Sequence, residues 1–297
     1  MMLDEHARYS WGGDEFLLVE ISPEMSLEAN FVANSMALRL SERQLAGVVD
    51  VCPANASLLV RFDPDVLPHD VLERAVREDE AAVKRAGEGT LDTRIVEVPV
   101  WYADPYTRET EARFREGYHQ APSGTDLDYS AAVNGLSGPE EFIRRHHEAP
   151  WLVSMVGFVA GLPFLFQLTP RERQLEVPKY LSPRTDTPPH TVGIGGCFTA
   201  HYSVRGAGGY QMLGITPTPI FDPEQRLADF ADFMVLFRTG DIVKYRPVDE
   251  AEYREIEAEV AAGTYRYKYA PVTFTLADAL RDADAYNRTL LEALDAA

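Results

Sequence analysis

The sequence is short of cysteine and of positive charge, and it carries no nucleotide or metal signature. Its two cysteines, Cys52 and Cys197, lie far apart and outside any C-x-x-C pair. That usage excludes a disulfide scaffold and fits a reducing compartment, so a cytoplasmic location is expected. Lys and Arg number 28 against 47 Asp and Glu, a formal charge of −19. No extended run of Lys or Arg occurs, and the short RER at 171–173 is too small to form a basic stripe. Such a chain repels nucleic acid and anionic lipid, so neither is expected as a partner. G-x-x-x-x-G-K-[ST] is absent, as are H-x-x-x-H and H-E-x-x-H, and no metal site is expected. The opening MMLDEHARYSWGGDEF places acids early and has no apolar segment, which argues against a signal peptide.

Long charge-free stretches are equally scarce. The exception is Trp151–Leu168, WLVSMVGFVAGLPFLFQL. It just reaches the length of a spanning helix, roughly 17–25 residues. Gly157, Gly161 and Pro163 interrupt it, and WLVSMVGF is β-branched and aromatic. It therefore reads as a buried strand followed by a VAGLP loop.

What is present is the composition of a globular protein, 45% apolar and 25% charged over 297 residues, enough for two domains. EFLLVEI, SLEANFVANSMALRLSERQ, GVVDVCP, ASLLVRFD, LPHDVLERAVREDEAAVKRA and TRIVEVPVWY follow one another over residues 1–102. Their periodicities give the order β-α-β-β-α-β, the ferredoxin-like split unit, with one sheet face under two helices. Residues 103–149 read as a polar linker insertion with short helices; Asp126 can cap one that stops near Asn134-Gly135, and SGPEEFIRRHH opens another. From 150 to 250, short apolar runs broken by Gly and Pro (HTVGIGG, FTAHYSV, YQMLGIT) predict a closed or double sheet. Residues 251–297 read as a helical C-terminal extension, with a first helix ended by Gly263. The fold class is α+β.

Single motifs define no reaction. GIGG (193–196) and RGAGGY (205–210) read as tight turns between strands. His146 and His147 close a short helix, where the dipole favours a protonated imidazole. Asp126, Arg184, Thr199 and Tyr202 have no informative spacing.

As an ordered set, the pieces say more. PEEFIRRHHEAP, GFVAGLPFL, SPRTDTPPHTVGIGG and AGGYQMLGITPTPIFD, preceded by YSWGGDEFLLVEI and VCPANASLLVRFDP, resemble the family of the 5-oxoprolinase B component, also called allophanate hydrolase subunit 1. The resemblance spans about residues 9–250. It implies a ferredoxin-like domain followed by a cyclophilin-like β-barrel. It also implies a hydrolase subunit acting on C–N bonds that works only with partners. These are a second, carboxyltransferase-like subunit (allophanate hydrolase subunit 2, or the C component of 5-oxoprolinase) and, for ring opening, a lactam-hydrolase subunit. ATP would be used with the partner subunit. The alternatives are a urea carboxylase-type carboxyltransferase, with biotin carried on another subunit, and a non-catalytic regulator that binds a kinase. The chain itself has no M-K-M biotin motif.

The resemblance also assigns site residues. Asp126, His147 and Arg184 match its catalytic positions. Gly157, Phe158, Gly161, Pro163, Gly196, Phe198, Thr199, Tyr202, Gly208 and Gly209 match its substrate-binding ones. Ala160, Leu162 and Phe164 stand where the family has Pro, Phe and Tyr; Cys197 and Phe198 stand for Gly and Gln. Losing the amide and the phenol redirects specificity, which predicts a substrate larger or more apolar than 5-oxoproline. The insertion at 103–123 is expected to cover the site or meet the partner.

Overall fold

Apolar alternation sets the first sheet of the computed structural model, which describes residues 6–86 and 89–297. β1 (Arg8–Gly12) and β2 (Phe16–Glu20) form a hairpin. α1 (Leu27–Glu42) starts at Ser26, whose hydroxyl accepts the Ala29 N–H at 3.1 Å. β3 (Val48–Ala54) and β4 (Ser57–Phe62) turn through Asn55, and α2 (His69–Ala86) follows. The sheet order is β1-β2-β4-β3. Leu17, Val19, Leu58, Val60 and Phe62 alternate into a core shared with Met36, Leu40, Leu72 and Val76 of the helices. The buried Asp79 of α2 receives Arg43 from the end of α1 at 2.9 Å.

The expected β-α-β-β-α-β unit is corrected in one respect. β5 (Thr90–Tyr102) forms but pairs in a different sheet, and β1 takes the edge beside β2. β1 is polar and largely exposed, so no alternation reveals it. β5 buries consecutive residues, Ile95 and Val96, and then Val98 to Val100, as a strand covered on both faces does.

The chain divides into two units, Met1–Leu91 with Phe274–Arg281, and Asp92–Thr273 with Asp282–Ala297. In the second, β5 is followed by α3 (Pro105–Arg113), α4 (Asp126–Val133), α5 (Pro139–Glu148), β6 (Trp151–Val156) and β7 (Pro163–Gln167). β8 (Arg184–Thr187), β9 (Thr191–Gly195), β10 (Phe198–His201), β11 (Gly206–Gly208) and β12 (Gln211–Ile215) come next. β13 (Ile242–Pro247), α6 (Glu250–Ala261), β14 (Tyr269–Thr275), α7 (Leu276–Arg281) and α8 (Ala283–Asp295) complete the chain. The large sheet runs β12-β9-β10-β7-β6-β13-β5-β14, and β5 also pairs with β12 through Tyr102 and Gly214. That second pairing closes the strands from β12 to β5 into a ring and removes an open edge. Val96, Val98, Val100, Trp151, Val153, Leu165, Val192, Ile194 and Val243 belong to its core.

The charge-free stretch is the β6–β7 hairpin, turned through Gly161 at φ 72°. No helix among the described residues is long and apolar enough to cross a membrane. The polar segment 103–125 contains α3, capped by a fully buried Asp104 that accepts the Tyr106 and Thr107 N–H groups at 2.9 Å. Its polar groups point inward to partners, which is why patterning reads it as a connection. The C-terminal region is not wholly helical, because β14 joins the large sheet.

Candidate functional site

Thr125 and Asp128 form a capping box that fixes the start of α4. Asp126, its first residue, is thereby turned inward and fully buried. Its carboxylate accepts Arg115 Nη2 at 2.8 Å, the Tyr180 hydroxyl at 2.7 Å and the Met212 N–H at 2.8 Å. The Tyr180 N–H donates to the Gly209 carbonyl at 2.8 Å. The Arg184 guanidinium lies 4.4 Å from the centre of the Tyr180 ring. Arg184 is itself fully buried and donates to the Tyr210 carbonyl at 2.8 Å and to Thr187 Oγ1 at 3.3 Å, while its Nε has no partner. One chain of contacts therefore links Asp126, Tyr180, Arg184 and the Tyr210 backbone.

Two further groups border this knot. Glu111 accepts the Asp126 N–H at 3.3 Å, and burial, followed by the Asp126 charge, pushes its carboxyl up to about 8. The His119 Nδ1 accepts the Ala121 N–H at 2.8 Å, so its proton sits on Nε2 and is donated to Gln211 Oε1 at 2.8 Å. The lone pairs of Asp126 are committed to internal donors. Its geometry is that of a group that positions Tyr180, Arg115 and β12.

The histidine pair divides. His147, the residue matched by the resemblance, is half-buried, and its ring stands 6.3 Å from that of Tyr102. Its neighbour His146 is the one inside: fully buried, with Nδ1 2.8 Å from the Tyr102 hydroxyl and Nε2 2.9 Å from Thr199 Oγ1. Trp151 donates to the His146 carbonyl at 2.8 Å, and Tyr245 stacks on the imidazole. Burial lowers His146 to about 3 and also lowers His147. The expectation of protonated imidazoles at a helix end is thus overturned: desolvation outweighs the dipole. Thr199 belongs to this interior cluster.

The remaining predicted residues shape the outer side of β7, β10 and β9. Phe198 pairs with Gly195 and Phe166, and Ala200 with Gly193 and Phe164. Side chains alternate, so Phe164 and Phe198 face away from Thr199. They meet edge to face, with centroids 6.2 Å apart, and Phe164 meets Tyr210 at 6.1 Å. A Cβ on Gly195 would fall 2.5 Å from the Tyr210 ring, and one on Gly208 would fall 2.4 Å from the Tyr202 hydroxyl. These glycines admit the tyrosine rings. Gly196 pairs backbone to backbone with Val177, and Pro163 opens β7. The Gly157 N–H donates to the Leu162 carbonyl at 2.9 Å, closing the turn. Within that turn Phe158 is 68% exposed at φ 72°, a conformation unfavourable for an aromatic residue. The Lys179 ammonium lies 5.1 Å from the Tyr210 ring centre. Asp126 and Arg184 meet through Tyr180, and Tyr202 lies beside Gly208; His147 joins neither pair. Tyr180, Arg115, Glu111, His119, Lys179 and His146 are not among the positions the resemblance matches, and no spacing rule marks them.

Comparison with known proteins gives this geometry a family. The model of the carboxyltransferase domain, subdomain C and D, matches residues 7–230, and the chain belongs to that family. It is 30% identical to the B component of 5-oxoprolinase from Bacillus subtilis over 257 residues, 83% of this chain and 95% of that protein. It is 25% identical to the urea amidolyase of Saccharomyces cerevisiae over 92% of this chain, which is 15% of that protein. Among solved structures, the K. lactis urea amidolyase matches 98% of this chain and 18% of its own with a TM-score of 0.82 and 23% identity, a likeness of fold.

Proposed function

We propose, from membership of the carboxyltransferase C and D family, that this chain is one subunit of a heteromeric, ATP-dependent amidohydrolase of the 5-oxoprolinase or allophanate hydrolase type. The substrate is a small cyclic amide or a urea derivative. The observation that carries this reading is the identity to the 5-oxoprolinase B component over nearly all of that protein. The first unit serves as a ferredoxin-like module with β1 at the edge, and the second as a cyclophilin-like barrel.

Among the described residues, two of the glycines in the candidate phosphate turns are taken up by tyrosine rings. Tyr210 occupies the space at Gly195 and Tyr202 the space at Gly208, and the sequence has no P-loop. The nucleotide is assigned to the partner subunit. This chain supplies a wall. Phe164, Phe198 and Tyr210 exclude water from one face of the substrate. Lys179 at the wall supplies charge for a developing oxyanion. Arg184 and Asp126 hold that wall from behind, through the Tyr210 carbonyl and through Tyr180 and the Met212 N–H. Gly157, Phe158 and Gly161 belong to the β6–β7 turn, whose Val159 and Leu162 pack beside the wall. With phenyl rings in place of an amide and a phenol, the wall suits a substrate larger or more apolar than 5-oxoproline.

A second reading is carboxyl transfer from a biotin held on another subunit to urea. The fold likeness to urea amidolyase favours it. Co-expression with a carboxyltransferase-like second subunit, size-exclusion chromatography and assays with 5-oxoproline and urea test the proposal. A stable hetero-complex with ATP-dependent amide hydrolysis is expected. Full turnover by this chain alone contradicts it.

A further inference from the structure

None of the residues assigned above lines the groove between the end of α5, the end of β7 and α8, which has a volume of about 530 Å³. Its walls carry four arginines, Arg144, Arg145, Arg173 and Arg288, against two carboxylates, Glu148 and Asp284. An excess of positive charge here runs against a chain of net charge −19. Three of the arginines are tied to exposed or half-buried carboxylates: Arg144 to Glu148 at 2.5 Å, Arg145 to Glu141 at 3.0 Å and Arg173 to Asp284 at 2.6 Å. Pairs this open to water hold weakly and exchange for a better oxyanion. Arg288 forms no hydrogen bond or ion pair among the described residues.

The floor is rigid by contrast. Gln167, almost fully buried, donates to the Arg145 carbonyl at 2.9 Å and accepts the Leu175 N–H at 3.1 Å. The buried Asn287 of α8 donates to the Leu168 carbonyl at 2.6 Å. These two amides lock three segments together, so the arginines project from a fixed base. Ala149 and Leu291 are the apolar lining, and no aromatic ring is present to stack a nucleobase.

We infer that this groove binds a small polyanion, a di- or tricarboxylate or a phosphate ester, without a stacked base. Planar guanidinium forks match both carboxylate and phosphate oxygens. Neither the substrate wall nor the partner assignment enters this inference, so its fate is independent of theirs.

The test is calorimetric titration of the full chain with citrate and, separately, with pyrophosphate, at about 50 mM salt, where screening is mild. Saturable one-site binding of at least one is expected, and the preferred arm identifies carboxylate or phosphate as the ligand chemistry. Arg288→Ala and Arg173→Ala each weaken binding about tenfold, the scale of one charged hydrogen bond. Asp284→Asn tightens it, because a competing carboxylate is gone. Thermal melts verify that these surface variants stay folded. Absence of saturable binding by both anions overturns the site. So does binding indifferent to Arg288→Ala and Asp284→Asn, or capture of an acidic peptide with no response to either small anion.

Discussion

The Asp126 knot and the aromatic wall lie in one unit and treat polarity in opposite ways. In the knot donors gather on one acceptor: Arg115, Tyr180 and the Met212 N–H all converge on one carboxylate. In the wall, Phe164, Phe198 and Tyr210 meet ring to ring. The residues with the most obvious chemistry, Asp126 and Arg184, are fully buried, while Phe164 and Phe198 are only partly so. In the proposed reading the buried Asp126 and Arg184 act as positioning groups, and specificity falls to Phe164 and Phe198.

The strongest way to break that contrast is to empty the knot. Asp126→Ala removes the acceptor of three donors and leaves Arg115 with Glu111 alone, 3.8 Å away. Breaking a buried pair from one side costs about 3–5 kcal/mol. Urea unfolding should show a loss of that size; a loss below about 1 kcal/mol would mean that Asp126 is not the knot's centre.

The histidines offer the next test. His146→Ala orphans the Tyr102 and Thr199 hydroxyls and opens a cavity, at a cost of about 2–4 kcal/mol. His147→Ala should stay within about 0.5 kcal/mol, as half-exposed sites do. Equal losses would contradict the interior assignment. With its folded pKa lowered to about 3 from 6.5, His146 contributes stability that is complete above pH 6.5 and lost as pH falls toward 3. That slope should vanish in His146→Ala.

Glu111 gives the opposite slope. Its folded pKa of about 8 exceeds the ordinary 4.5, so the folded state holds the extra proton between those values. Its contribution is therefore lost as pH rises from 4.5 through 8, by up to about 1.4 kcal/mol per pH unit. In Glu111→Gln, chemical denaturation across that range should show a flatter profile; an unchanged profile would remove Glu111 from the knot.

Much of this was legible in the sequence. β2 and β4 show apolar alternation, β9, β10 and β12 are short apolar runs broken by glycine, and the Trp151–Leu168 stretch is marked by its own glycines. β1 gave no signal, because an edge strand needs no apolar face. α3 was hidden because its polar residues, Asp104, Thr107 and Glu111, face inward. The resemblance placed Asp126, Arg184 and Phe198 in a shared region, yet Tyr180, which joins the first two, sits in VPKYLSP with nothing to mark it. Single-residue offsets were also beyond reach. His146 and His147 differ only in which face of α5 they occupy, and the packing of α5 on the large sheet decides that.

The wall is tested by specificity more than by stability. Phe198→Gln restores an amide at a partly exposed position and should cost about 1 kcal/mol. The decisive measurement is kcat/KM of the reconstituted hetero-complex for 5-oxoproline and for a bulkier, more apolar lactam, in wild type and in Phe198→Gln. Wild type is expected to prefer the bulkier lactam, and Phe198→Gln to shift preference toward 5-oxoproline by about tenfold or more. Wild-type preference for 5-oxoproline, with a ratio untouched by Phe198→Gln, would contradict it and return Phe198 to plain core packing.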